Sequence, residues 1–153
     1  MTIPLKASDG FIYIQGKSQT LHFLHLKKQL SFHISTAKNG FGEEKDSFKT
    51  PRGWHYIRFI IGKKQPTDAF FMSRKVCEHS DISGRILWLT GLSPAQNKGG
   101  KVDSFKRYIY IHGTPNKFLK TPISKGCINM QNSDIAKLTS LLPKYCKVYI
   151  DES

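Results

Sequence analysis

Acidic residues are scarce in this chain. It has 153 residues, with 11 Asp and Glu against 24 Lys and Arg, for a formal charge of +13. Such a surface attracts polyanions or acidic substrates through its long-range field. The basic residues are scattered, however, in short groups such as Lys27-Lys28 and Lys63-Lys64. Without a long basic run, no specific nucleic-acid partner is expected, and a solvated basic surface stands beside an anionic-polymer binder. Long apolar runs are missing too. None approaches the roughly 18 residues of a membrane-spanning helix, so no transmembrane segment is expected. Met1 to Thr20 lacks the charged start, apolar core and small-residue cleavage pattern of an export signal. Read as full length, the chain is expected in the cytoplasm; read as a trimmed piece, in the periplasm or cell envelope. Cysteine is sparse, with three residues at irregular spacing, Cys77, Cys127 and Cys146. An odd, irregular set excludes a disulfide framework and leaves room for one reactive thiol. Cys77-Glu78-His79 lacks the spacing of a zinc motif, so neither metal nor other cofactor is expected.

What is present is a series of short apolar runs separated by turn residues. Phe11–Ile14 opens it, and Leu21–Leu26 follows a Gly-Lys-Ser-Gln turn. Leu30, Phe32 and Ile34 alternate with Ser31, His33 and Ser35, the period of a half-buried strand. Tyr56–Ile61, Ala69–Met72, Ile86–Thr90, Tyr108–Ile111 and Val148–Ile150 are further strand candidates, rich in the aromatic and β-branched residues that pleated surfaces favour. One segment, about 133–142, reads as a helix: Asn132 or Ser133 caps it, Ile135, Leu138, Leu141 and Leu142 form an apolar stripe, and Pro143 stops it. The stretches 37–52 and 92–101, rich in Gly, Asn, Lys and Pro, read as loops. The expectation is one mainly β domain spanning 1–153 with one clear helix. His22, His25 and His33 fall on predicted strands as structural or solvent-facing residues, and Cys146 reads as a small buried filler.

Chemistry concentrates between Tyr108 and Met130. Tyr-Ile-Tyr-Ile-His112-Gly113-Thr114-Pro115 forms a strand ending in histidine, and Ser124-Lys125-Gly126-Cys127-Ile128-Asn129 returns as a turn before the helix. A cysteine nucleophile needs a base within hydrogen-bond reach, and an imidazolium beside it lowers its pKa from about 8.5. Gly126 permits a tight turn whose N–H groups converge on one point, as an oxyanion hole requires. On spacing alone, His112 and Cys127 could equally be two core residues.

These segments resemble the catalytic motif of the L,D-transpeptidase (YkuD-type) domain, in which a His-Gly-Thr strand end precedes a Ser/Thr-His-Gly-Cys turn followed by an apolar residue and Arg or Asn. Thr50-Pro51-Arg52-Gly53 is similar to the family's Thr-Pro-x-Gly loop. Ser35-Thr36 matches the end of the strand before it, and Leu89–Leu92 with Asn97–Gly100 matches the approach to the catalytic strand. The likeness runs from about Phe11 to Ile150. It implies a β-sandwich-like domain with an accessory helix, and peptidoglycan stem peptides or muropeptides as substrate.

By the same resemblance Cys127 attacks the carbonyl between the stem's diamino acid and D-Ala, and His112 is base and then acid. The Gly113 carbonyl orients His112, and Ser124 positions the turn. The N–H groups of Gly126 and Cys127 hold the oxyanion, and Asn129 belongs to the branch with Asn rather than Arg. Lys125 departs from the family's usual His. It either meets a substrate carboxylate or points to solvent. Trp54 and Trp88 are expected in the core, with Trp54, beside the Thr-Pro-x-Gly loop, a candidate at the cleft edge. The acceptor sets the reaction: water makes an L,D-carboxypeptidase of muropeptide recycling, the reading slightly favoured here, and an amine makes 3–3 cross-links. Carbapenems, which commonly react with the family, would acylate the same thiol.

Overall fold

A computed structural model describes residues 10–26, 28–117 and 119–153. Its strands are β1 (Phe11–Gln15), β2 (Thr20–Leu24), β3 (Gln29–Ser35), β4 (Gly53–Ile61), β5 (Phe70–Met72), β6 (Lys75–Cys77), β7 (Ile82–Gly91), β8 (Tyr110–Thr114), β9 (Ile128–Gln131) and β10 (Lys147–Asp151). The helix α1 covers Asn132–Thr139. The mainly β architecture with one helix agrees with the sequence reading. The helix ends earlier than Pro143 predicts, because Leu141 and Leu142 continue only as turns. Two strands were not legible. β6 is three residues long, and β9 was read as part of the turn before the helix.

All ten strands join one sheet in the order β4-β10-β1-β2-β3-β9-β8-β7-β5-β6. Strand β7 also pairs with β4, so eight of the strands close into a ring. The long β7 makes this possible. It pairs with β8 along one edge, and with β5 at its start and β4 toward its end along the other. Closure leaves few unpaired edges and encloses the main core. That core holds Ile12, Ile14, Leu21, Phe23, Ile34, Leu87, Leu89, Ile111, Ile128, Met130, Val148 and Ile150, joined by Ile135 and Leu138 of the helix. Cys146 is buried with them, as expected.

A second, smaller cluster lies on the outer face. Phe71 of the β5–β6 hairpin packs on Ile86 and Tyr110, with Ile82, Trp88 and Cys127 at its margin. The loop regions are held by side chains of the motif residues. Buried Asn97 donates to the carbonyls of Arg52 and Trp54, at 2.9 and 3.0 Å, and accepts from Ser93 N–H. His55, fully buried, spans Gly53 O and Ser104 Oγ. Among the described residues no helix is long and apolar enough to cross a membrane.

Candidate active site

Strands β8 and β9 run parallel, with Ile111 opposite Ile128, His112 opposite Asn129 and Gly113 opposite Met130. Side chains alternate along each strand, and paired residues share a face. Ile111, Ile128 and Met130 therefore fill the main core, while His112 and Asn129 project outward. One step back in register, Cys127 lies beside Tyr110, whose N–H donates to Sγ at 3.4 Å. Cys127 and His112 are thus diagonal neighbours on one face. Both line a cavity of about 430 Å³ with Asp81, Thr114, Ser124, Lys125 and Asn129.

The two groups rest apart. The Cys127 thiol donates to Tyr108 O at 3.4 Å, and no hydrogen bond joins it to His112. His112 Nδ1 donates to Gly113 O at 2.6 Å. This bond fixes the tautomer, leaving Nε2 as the basic nitrogen. The electrostatics also differ from the expectation of a lowered thiol pKa. Burial pushes Cys127 up from 9.0 to about 11, against smaller lowering effects of the Tyr110 N–H and the Arg107 charge. Burial likewise lowers His112, opposed by the Gly113 carbonyl and by Asp81. In both groups burial favours the neutral form, the thiol for Cys127 and the imidazole for His112.

The turn carrying Cys127 is braced from both sides. Gly126 has φ +134°, a conformation closed to other residues, and a Cβ there would lie 3.4 Å from Lys49 O. Its carbonyl accepts from Thr50 Oγ1 at 3.0 Å, and Thr50 Oγ1 in turn accepts from Ala37 N–H at 2.9 Å. Thr50 thereby ties the Thr-Pro-x-Gly loop to the turn that carries Cys127. Ser124 Oγ donates to the Cys127 carbonyl and accepts from Gly126 N–H at 3.2 Å. The Gly126 N–H is therefore engaged at rest, whereas the Cys127 N–H makes no hydrogen bond among the described residues. Beneath the turn lies Arg107, half-buried, its guanidinium donating to Lys49 O at 2.7 Å and Glu43 O at 3.2 Å. It would be 3.9 Å from a Cβ on Gly126. Gly113 is fixed by space as well as by its carbonyl: a Cβ would meet Asn132 Oδ1 and Ser83 O, both at 2.4 Å.

The family model of the L,D-transpeptidase catalytic domain matches residues 9–150. The chain belongs to this family. It is 30% identical over 110 residues to a protein of Bacillus subtilis (strain 168) that carries the name YkuD, a match covering 63% of this chain and 66% of that protein. In fold it is similar to the L,D-transpeptidase of Xylanimonas cellulosilytica DSM 15894, with TM-score 0.57 and 16% identity over 99% of this chain and 64% of that one. It is similar also to that of Enterococcus faecium, with TM-score 0.59 and 18% identity over 94% and 50%. The chain thus spans just under two thirds of the curated relative and about half to two thirds of these solved chains.

Within this L,D-transpeptidase domain most of the singled-out residues converge. His112, Ser124, Lys125, Cys127 and Asn129 line one cavity, with Gly113 and Gly126 shaping its walls. Lys125 is exposed at the rim. Asn129 Oδ1 is buried without a hydrogen-bond partner, an acceptor left open in the cavity wall. Trp54 is not among the residues that line this cavity. It lies on β4 opposite Tyr149 of β10, with rings 4.8 Å apart, and also packs on Phe11. Sequence reasoning missed Arg107 and Asp81. Neither has a local signature: Asp81 reaches the cavity just before β7, and Arg107 reaches the turn through the carbonyls of Glu43 and Lys49.

Proposed function

We propose that the chain is a cysteine acyl-transfer enzyme acting on peptidoglycan stem tetrapeptides, with water as its main acyl acceptor. The observation that carries this reading is the placement of Cys127 and His112 on one face of adjacent parallel strands, lining one cavity. The substrate carbonyl enters beside Cys127, and the thiol rotates away from Tyr108 O toward His112 Nε2. His112 removes the thiol proton as sulfur attacks, and the tetrahedral oxygen takes the Cys127 N–H. Gly126 N–H, released from its long bond to Ser124, supplies a second donor. One such donor contributes a factor of roughly 10²–10³. Arg107 supplies positive charge behind the turn as the sulfur becomes anionic. His112 then donates its proton to the leaving D-Ala nitrogen, giving a thioester on Cys127. Water, deprotonated by the same imidazole, releases the tripeptide acid.

Proton transfer during attack, rather than a preformed ion pair, suits a site in which thiol and imidazole are neutral at rest. Water is favoured over an amine because Lys125 stands at the rim where the family usually has His. A cation there disfavours an incoming ammonium, and transfer needs an amine held in attack geometry. One observation supports the second reading, 3–3 cross-linking. Asp81 lines the same cavity and offers a carboxylate to an acceptor ammonium. Supplying tetrapeptide at high concentration and quantifying tripeptide against 3–3 dimer decides between them. Predominant tripeptide supports hydrolysis, and predominant dimer makes the enzyme a transpeptidase.

A further inference from the structure

The outer face that presents Cys127 continues as an aromatic track. Sulfur lies 3.4 Å from Tyr108 O. From there the Tyr108 and Trp88 rings are 5.7 Å apart, Trp88 and Phe105 stack at 4.2 Å, and Phe105 and Phe59 lie 6.1 Å apart. In register, Phe59 of β4 is opposite Trp88 of β7, which is opposite Tyr110 of β8, the neighbour of Cys127. Phe59 is thus three strand spacings from the nucleophile, about 14 Å.

The track ends in a groove of about 580 Å³ lined by Tyr56, Arg58, Phe59, Leu92, Tyr145 and Lys147. Phe59, Leu92 and Tyr145 are among the large apolar side chains most exposed to solvent, at 48%, 37% and 56%. The lining contains two cations and no carboxylate. Arg74, from the β5–β6 turn, lies over both Trp88 and Tyr108 partway along. Arg58 lies over the Phe59 ring at 5.5 Å and Lys144 over the Tyr145 ring at 5.2 Å, so each exposed ring stands with a hydrogen-bond donor, a combination that suits a ligand with apolar faces and peripheral oxygens. A pyranose ring has both: its C–H face packs on aromatic rings, and its hydroxyl and acetamido oxygens accept from Arg and Lys.

We infer that this groove is a carbohydrate subsite that holds the amino-sugar end of a muropeptide while its stem is cleaved at Cys127. The inference rests on the proposed function, and length supports it. In a tetrapeptide cut before its fourth residue, the three retained residues span about 10 Å when extended, and the sugar begins beyond them. That places the first ring at Phe59 and the groove. On this path the stem passes Arg74, a partner for a free carboxylate of the peptide.

The test compares two substrates, free tetrapeptide and the same peptide carrying its disaccharide, on wild-type protein and on a Phe59→Ala, Tyr145→Ala double variant. The subsite predicts a wild-type kcat/KM about tenfold higher for the disaccharide form, equivalent to 1.4 kcal/mol. The double variant brings that ratio close to one, with turnover of free tetrapeptide as the internal reference. Equal wild-type values, or a preference intact in the variant, overturn the inference while leaving the proposed function standing. If neither substrate is turned over, the proposed function fails instead. The disaccharide alone, titrated into Cys127→Ala protein and followed by NMR, then decides the subsite. Shifts confined to the groove and persisting in high salt support it. No shift, or shifts lost in salt and reproduced by a sulfated polysaccharide, assigns the groove to nothing or to an anionic polymer.

Discussion

The two faces of the β8–β9 pair are built from adjacent residues and differ in what they leave unsatisfied. Inward, Ile111, Ile128 and Met130 are fully buried in apolar contacts. Outward, the strands present His112 with Nε2 open and Asn129 with a buried Oδ1 that has no partner among the described residues, and Cys127 immediately precedes β9 with an N–H likewise unbonded among them. Buried polar atoms without partners are costly and uncommon in folded proteins. Asn129 Oδ1 is such an atom, whereas His112 Nε2 is open to the cavity that both residues line. Core packing and cavity lining thus alternate along these strands with a period of two.

The largest effect comes from crossing that divide. Cys127→Ala is expected to lower turnover by a factor on the order of 10⁴ or more, with little change in thermal midpoint. Ile111→Ala, next to His112 on the opposite face, is expected to cost about 2–5 kcal/mol of stability. Its folded fraction keeps turnover. Thermal unfolding and initial rates on both variants check the contrast, and a Cys127→Ala protein with wild-type rates breaks it.

The next effect concerns charge. Rates of thiol alkylation against pH are expected to give Cys127 an apparent pKa well above 9, consistent with its burial. Arg107→Met removes a cation that lowers it and moves it further up. Arg107→Lys, keeping the charge, moves it less. A midpoint below about 8.5 in wild type would instead restore the preformed ion pair first read from the sequence.

A smaller effect separates the active site from the loop scaffold. His55 is buried neutral and lowered to about 4 from 6.5. Its folded-state pKa lies below the unfolded one, so its contribution is complete above pH 6.5 and is lost as pH falls toward 4. The linked loss is roughly 3 kcal/mol, from 1.36 kcal/mol per pH unit. The lowered His112 acts in the same direction. His55→Gln should flatten the acid limb of denaturant midpoints measured from pH 7 to 4. An unchanged limb would mean that His55 does not govern acid stability.

Much of this site was legible in the sequence, for physical reasons that differ by residue. Gly126 and Gly113 announce backbone that other residues cannot adopt or fit. Alternation in β3 and the apolar stripe of α1 expose their periods. Strand β9 was hidden because four residues, Ile128 to Gln131, abut the helix with no turn between them. The parallel pairing that aligns Cys127 with His112 was hidden with it. Lys125 was visible as a departure but not as a rim residue. Arg107 and Trp54 exchange the places that neighbourhood in sequence suggests. Arg107 is drawn under the Cys127 turn by carbonyls of the 41–50 loop, and Trp54 packs on Tyr149 and Phe11.

The central claim is acyl transfer through Cys127, and one measurement meets it directly. Wild-type protein is mixed with tetrapeptide, quenched in acid within the first turnovers, and examined by intact mass and peptide mapping while free D-Ala is quantified. The account predicts a stem-tripeptide acyl group on the peptide containing Cys127, one equivalent of D-Ala per acylation, and neither signal in Cys127→Ala protein. D-Ala release that persists in Cys127→Ala protein, or an acyl group mapped to Cys77 or Cys146, would contradict it.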